Sequence, residues 1–232
     1  MNNFFNIDGP FFTFLNRLGD LILLNVIWLI CCIPIVTIGA STTALYFSTM
    51  KLAAGDEGYV FRNFFRSFKQ NFLQSTVIWI IMLLLAVFLG FDLYIIFHVD
   101  FNLSGTTLML LLALLFLMCL VWLLIFSFIF PLQSKFVNKI KYTFKNSLIL
   151  SIRHLPWSIA IIVSFAAAGF IFYKFSIMFP IFLFIGCAAI AYGQSFIYNK
   201  LFSIYINRNN TENEQAEENP DAWTIPEDDE EE

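Results

Sequence analysis

Residues 75–97, STVIWIIMLLLAVFLGFDLYIIF, carry one charged side chain, Asp92, and residues 106–130, TTLMLLLALLFLMCLVWLLIFSFIF, carry none. A helix rises about 1.5 Å per residue, so each run exceeds the roughly 30 Å of a bilayer's hydrocarbon core. Neither run alternates as a half-buried strand would, and both are apolar all round, which is the pattern of a helix solvated by lipid. These two runs decide the fold class: an all-α membrane protein, a polytopic helical bundle.

The whole chain agrees with this reading. It has 232 residues, of which 59% are hydrophobic and 13% charged, with 30 phenylalanines and a mean hydropathy of +0.76. A soluble domain carries about 25% charged residues, and surface-to-volume scaling leaves a chain of this length no interior large enough to hide such a composition from water. Two more apolar runs, at 155–173 and 176–197, are also long enough to span. The region 11–53 admits two forms: one span at 21–40 kinked at Pro34, or a helical hairpin turning at 34–39. The return arm of such a hairpin carries Ser41, Thr42, Thr43, Ser48 and Thr49, poor lipid-facing material that would have to pack inside the bundle. The expectation is therefore five transmembrane helices, or six with the hairpin.

The net charge of −4 averages two unlike regions, a basic body over 1–206 and an acidic segment over 207–232. The acidic segment holds eleven of the seventeen acids and a single base, Arg208. It is expected to be a disordered cytoplasmic tail. Eleven of the thirteen Lys and Arg residues fall on one side of the expected spans, which by the positive-inside rule places that side and the carboxyl terminus in the cytoplasm. The amino terminus lacks the basic start of a secretory signal, so an uncleaved anchor is expected there.

Both long basic connections have helical period. Phe61, Phe64, Phe65, Phe68 and Phe72 form one face, with Arg62, Arg66 and Lys69 on the adjacent stripe. Phe136, Ile140, Phe144 and Leu148 repeat among Lys135, Lys139 and Lys141. Each reads as a cytoplasmic amphipathic helix lying at the lipid interface on anionic headgroups. SFKQNF (67–72) and TFKNSL (143–148) align by residue type, so the order span, basic helix, span occurs twice, the pattern of an internal duplication.

The stretch from Arg17 to Phe72, with IPIVTIG (33–39), GDEGYVFR (55–62) and FFRSFKQNF (64–72) in that order, resembles the YesL-like family of uncharacterised bacterial integral membrane proteins, as does SLILSIRHLPWS (147–158). The resemblance covers most of residues 10–205. It implies a bacterial cell-membrane protein often encoded beside carbohydrate-uptake genes, with no activity, cofactor or catalytic residue attached.

The candidate functional residues are polar groups at membrane depth. Arg17 and Asp20, one helical turn apart, can pair as a gate, a headgroup site or a plain boundary ion pair. Asp92 is costly if it faces lipid and is a cation or proton candidate. Asn25, Gln194 and Asn199 can line a polar path or join helices by hydrogen bonds. Pro34 with Gly39 can break a helix, either for an ion site or for packing. No phosphate-binding loop, nucleophile elbow, zinc-protease or dinucleotide motif occurs. The four cysteines lack metal spacing, and His98 and His154 fall on opposite sides of the expected membrane. No cofactor, metal or nucleic-acid partner is expected, nor is an enzyme. Two functions stay open: a non-catalytic accessory or scaffold protein, with a sugar transporter as a candidate partner, and a small-solute transporter or channel. A conduit requires polar residues converging on one wet cavity; a scaffold requires a dry bundle.

Overall fold

The computed structural model describes residues 10–56, 58–98, 104–136, 138–174 and 182–218, and every regular element among them is helical. Helix α1 spans Pro10–Cys32 and is followed by a single 3-10 turn, Ile35–Thr37. Next come α2 (Ile38–Ala53), α3 (Val60–His98), α4 (Gly105–Lys135) and α5 (Ile140–Arg153). Helix α6 (Leu155–Lys174), a π-helical turn at Phe182–Gly186 and α7 (Cys187–Glu218) complete the chain.

Three helical stretches, Phe11–Cys32, Val60–His98 and Gly105–Lys135, are long and apolar enough to cross a membrane, and a fourth results if α5 and α6 are counted as one bent span. Large apolar side chains stand exposed all along them, among them Leu84, Val87, Phe88 and Phe91 on α3 and Met109, Leu110 and Phe116 on α4. Only an apolar solvent leaves such a surface without penalty, so the protein is membrane-embedded. Three or four such helices stand where the apolar runs predicted five or six spans. Helix α2 is only 16 residues, roughly 24 Å, and is protein-covered. Of the fifth expected run, residues 176–181 lie outside the described residues and the remainder is the π turn with the start of α7.

The chain breaks after Cys32 because Pro34 has no N–H to donate and forces its neighbour out of helical geometry; Pro34 itself is extended, at φ −74° and ψ 119°. The Thr37 hydroxyl lies 2.5 Å from the Cys31 carbonyl and 2.7 Å from that of Pro34, serving carbonyls that the break has stripped of helical donors. On either side of the turn, the Trp28 indole N–H donates to Thr42 Oγ1 at 3.3 Å. Residues six before and eight after Pro34 thus meet, which is the hairpin form. Helix α2 returns through the middle of the bundle, with Ala40, Ser41, Thr43, Ala44, Ser48 and Thr49 all buried. Small side chains let the helix backbones approach closely. Gly39 is the tightest point: a Cβ built there would lie 2.4 Å from the Ser75 carbonyl oxygen and 2.5 Å from Trp79 Cβ.

The first basic segment departs from the expectation of an interfacial elbow. Helix α3 runs unbroken for 39 residues, roughly 58 Å, so residues 61–72 are its first turns, collinear with the span. Their phenylalanine face is turned against protein: Phe64 is fully buried and Phe65 and Phe68 are half-buried against the core. Phe61, Arg62, Arg66 and Lys69 remain exposed. Most of the buried positions of α3 lie at or before Met82, and those of α4 lie mainly from Leu124 to Ser134. The packed core therefore sits at the basic end. The second basic segment is an elbow in fact: α5 and α6 meet at 101°, where Pro156 cannot continue α5 but is tolerated in the first turn of α6. One segment is straight and the other bent, so the two halves of the expected duplication differ in geometry. At the carboxyl end, α7 continues to Glu218; residues 207–218 are helical where an unstructured chain was expected, in keeping with the helix-favouring Glu, Gln and Ala among them.

Candidate functional site

The polar side chains of the bundle meet where α2 runs beside α7. The spacing of Tyr46 and Thr49 on α2, and of Gln194, Ser195, Tyr198 and Asn199 on α7, sets each group on one helical face. The Tyr46 hydroxyl donates to Gln194 Oε1 at 2.7 Å. At its other end, Gln194 Nε2 donates to Ser164 Oγ of α6, also at 2.7 Å, and the Ser164 hydroxyl donates in turn to the Ile161 carbonyl at 2.6 Å. One turn lower, Ser195 donates to Thr49 Oγ1 at 2.9 Å, and Thr49 donates to the Leu45 carbonyl at 3.0 Å. Asn199 Nδ2 donates to the Met50 carbonyl at 2.8 Å. Tyr198, fully buried and edge-on to both Tyr46 and Phe128, donates to the Ser127 carbonyl of α4. Each of these ties crosses a helix interface or closes a helical turn. A buried polar group in hydrocarbon must find such a partner or carry a full desolvation penalty. Ser48, at 1% exposure, is an exception, its hydroxyl having no partner among the described residues.

A second polar layer lies at the basic end. Gln133 Nε2 approaches Asn71 Oδ1 at 3.4 Å, Thr143 donates to Gln133 Oε1 at 3.2 Å, and Gln74 donates to the Asn138 carbonyl. This layer joins α3, α4 and α5.

The sequence-predicted residues are scattered rather than convergent. Asn25 is fully buried, and its Oδ1 accepts the Ala188 N–H at 2.8 Å, capping the start of α7 from 163 residues away in sequence. Gln194 belongs to the α2–α7 seam. Arg17 and Asp20 do not pair as expected: the Arg17 guanidinium donates to the Tyr192 hydroxyl at 3.0 Å, and the one ion pair among the described residues is Lys51–Asp56, at 2.9 Å. The α7 helix packs along the face of α1 that bears Arg17, whereas Asp20 faces an open cleft of about 500 Å³ beside Tyr59 and Val60. Asp92 stands far from all of these, on the rim of an apolar cleft of about 300 Å³ between α3 and α4.

The cavity nearest the seam, about 380 Å³, is walled by Trp28, Trp79, Phe126, Phe130 and Phe165. It is an apolar space, and the two indole N–H groups on its wall are spent on Thr42 and on the Ile35 carbonyl. Among the described residues no group of three or more His, Cys, Asp or Glu side chains could hold a metal ion, and all four cysteines are free thiols. Reading the sequence missed Tyr46, Ser164, Ser195 and Tyr198 because a hydroxyl in an apolar run carries no signal of its own. Their three- and four-residue spacing was the available clue.

A family model described as a protein of unknown function, DUF624, matches residues 21–93. The matched stretch takes in the second half of α1, the Pro34 turn, α2 and α3 to near its end, so it includes the turn of the hairpin and the Gly39 contact. No curated protein and no solved structure matches the chain.

Proposed function

We propose that this chain is a non-catalytic accessory or scaffold protein of the bacterial cell membrane, multi-pass, with its basic face and carboxyl terminus in the cytoplasm. The observation that supports this most is Gln194, whose amide is engaged at both ends, by Tyr46 at 2.7 Å and by Ser164 at 2.7 Å. Together with Asn25, it spends on fixed helix–helix bonds the polarity that a conduit would present to a shared cavity. The exposed Arg62, Arg66 and Lys69 provide contacts for anionic headgroups, each worth roughly 1 kcal/mol near a charged leaflet. The tie to carbohydrate uptake comes from the YesL-like resemblance alone, and makes a sugar-transporter subunit the partner to look for. The test has two arms. Purified protein in proteoliposomes should confer no solute flux or conductance, and capture from native membranes with partner identification should recover a sugar-uptake subunit. Protein-dependent flux would overturn the reading.

A small-solute transporter or channel is the second reading, favoured by Asp92 on its apolar cleft. Under that reading Asp92→Asn abolishes the flux.

A further inference from the structure

We propose that the cleft between α4, α5 and α7 is the docking site of the chain's own acidic carboxyl-terminal segment, residues 221–232. The inference does not depend on the scaffold reading or on which side of the membrane the cleft faces, because the cleft and the segment belong to the same end of α7.

The cleft measures about 290 Å³ and combines an apolar floor, Phe136, Ile149 and Phe202, with a polar rim of Asn146, Arg153 and Tyr205. On α5, Asn146, Ile149 and Arg153 fall at i, i+3 and i+7, one face of the helix. The Arg153 guanidinium lies over the Tyr205 ring, 5.7 Å from its centroid, and His154 Nε2 is 3.0 Å from the Tyr205 hydroxyl. Arg153 has an aromatic partner but no carboxylate, since Lys51–Asp56 is the one ion pair among the described residues. Lys135, Lys139 and Lys145, each beside a cleft residue in sequence, are exposed. The site thus offers a hydrophobic slot bordered by positive charge that has no carboxylate partner among the described residues.

Residues 221–232, DAWTIPEDDEEE, match that combination in reverse. Trp223 and Ile225 supply apolar side chains, and Asp221 with the run Glu227–Glu232 supplies seven carboxylates. A tryptophan flanked by carboxylates is suited to an apolar floor with a basic rim. The reach is sufficient. Tyr205 lines the cleft and α7 ends at Glu218, thirteen residues or about 20 Å further along. From Glu218 to Trp223 is five residues, roughly 17 Å, and to Ile225 seven, roughly 24 Å, so Ile225 reaches the floor, the Trp223 side chain reaches only the near edge, and the acidic run lies beyond. The tether must be nearly extended to span this distance, which keeps its effective concentration below that of a relaxed linker, so the docking rests on the several carboxylate contacts acting together. Docked, the segment covers Arg153 and neutralises the α5 face that would otherwise meet anionic phospholipid.

The experiment uses the full chain in neutral detergent, with a photo-crosslinking amino acid at Ile149 and peptide mapping after irradiation. The expected product is an intramolecular crosslink from position 149 to residues 221–232. Its yield should fall as salt rises from about 0.05 to 0.5 M, because exposed charge is screened over that range. Arg153→Gln should lower it by roughly fivefold, the upper range for one exposed ion pair. Replacing Glu227, Asp228, Asp229 and Glu230 with their amides leaves the bundle untouched and should also remove the crosslink, which covers the case in which Arg153→Gln misfolds. A crosslink that persists unchanged in the tail variant overturns the proposal. So does a product between two chains, which would assign the cleft to a second copy. In vesicles containing phosphatidylserine, a crosslink to lipid in place of the tail would assign the cleft to headgroups instead.

Discussion

Substituting Gly39 by alanine tests the central packing claim, that α2 and α3 touch backbone to backbone. The added Cβ would sit 2.4 Å from the Ser75 carbonyl oxygen, against about 3.3 Å for a close carbon–oxygen contact. The obstacle is backbone and the first carbon of Trp79, neither of which can swing aside by rotamer change, so the helices must part by roughly 0.9 Å. The Thr43–Ser75 hydrogen bond spans that same interface at 3.0 Å, and such a retreat takes it beyond bonding distance. Overpacking costs about 1–3 kcal/mol and the lost buried bond about 1 kcal/mol. Alanine's better helix propensity returns at most about 1 kcal/mol. The net expectation is a loss of about 2 kcal/mol, or roughly 4–8 °C in Tm for a chain of this size. Gly90 is the control, because a Cβ there meets nothing within 4 Å; Gly90→Ala should hold or slightly raise Tm. Thermal melting of the purified protein in detergent, followed by circular dichroism, reads both. A Gly39→Ala protein melting at or above wild type would refute the close-contact argument.

Other consequences follow from the same geometry. Asn25→Leu leaves the Ala188 N–H buried without its acceptor and should cost about 1–3 kcal/mol in detergent-denaturation midpoints, with the loss confined to the α1–α7 contact in hydrogen exchange. Phe64→Ala should destabilise by about 3–5 kcal/mol because that ring is fully buried; Phe61→Ala, at 54% exposure, should stay within about 0.5 kcal/mol, and equal effects would restore the interfacial picture of the whole face. Burial and then the adjacent Arg153 hold His154 below the ordinary histidine value of 6.5. The unfolded chain therefore takes up this proton first, and the stability contributed by neutral His154 is present above that value and lost as pH falls below it. His154→Gln should flatten that part of the pH–Tm curve, and an unchanged slope would exclude the residue. A carboxyl-terminal reporter active only in the cytoplasm should be active on this chain, and activity on the far side would reverse the orientation drawn from the basic residues.

The sequence by itself determined what depends on local composition and chain geometry. Unbroken apolar runs longer than the bilayer core require lipid-solvated helices, Pro34 requires a break, and the hydroxyls of α2 require a protein environment once the hairpin forms. The basic stripes were also legible, since period 3.6 is written in the order of residues. What covers an apolar stripe was not. Lipid and protein interior are equally apolar, so the periodicity of Phe61, Phe64, Phe65 and Phe68 is the same whether the face lies on a membrane or on a neighbouring helix; only packing placed Phe64 in the core. Partner choice was hidden for a related reason. Arg17 had Asp20 one turn away, yet it bonds Tyr192, and Asn25 caps Ala188. Those bonds exist because α7 folds back along α1, and contacts that close loops of more than 160 residues leave no trace in local pattern. Gly39 carries both lessons: the turn beside it is local chemistry at Pro34, while its lack of a side chain is required by Ser75 and Trp79, which only the tertiary fold brings within 3 Å.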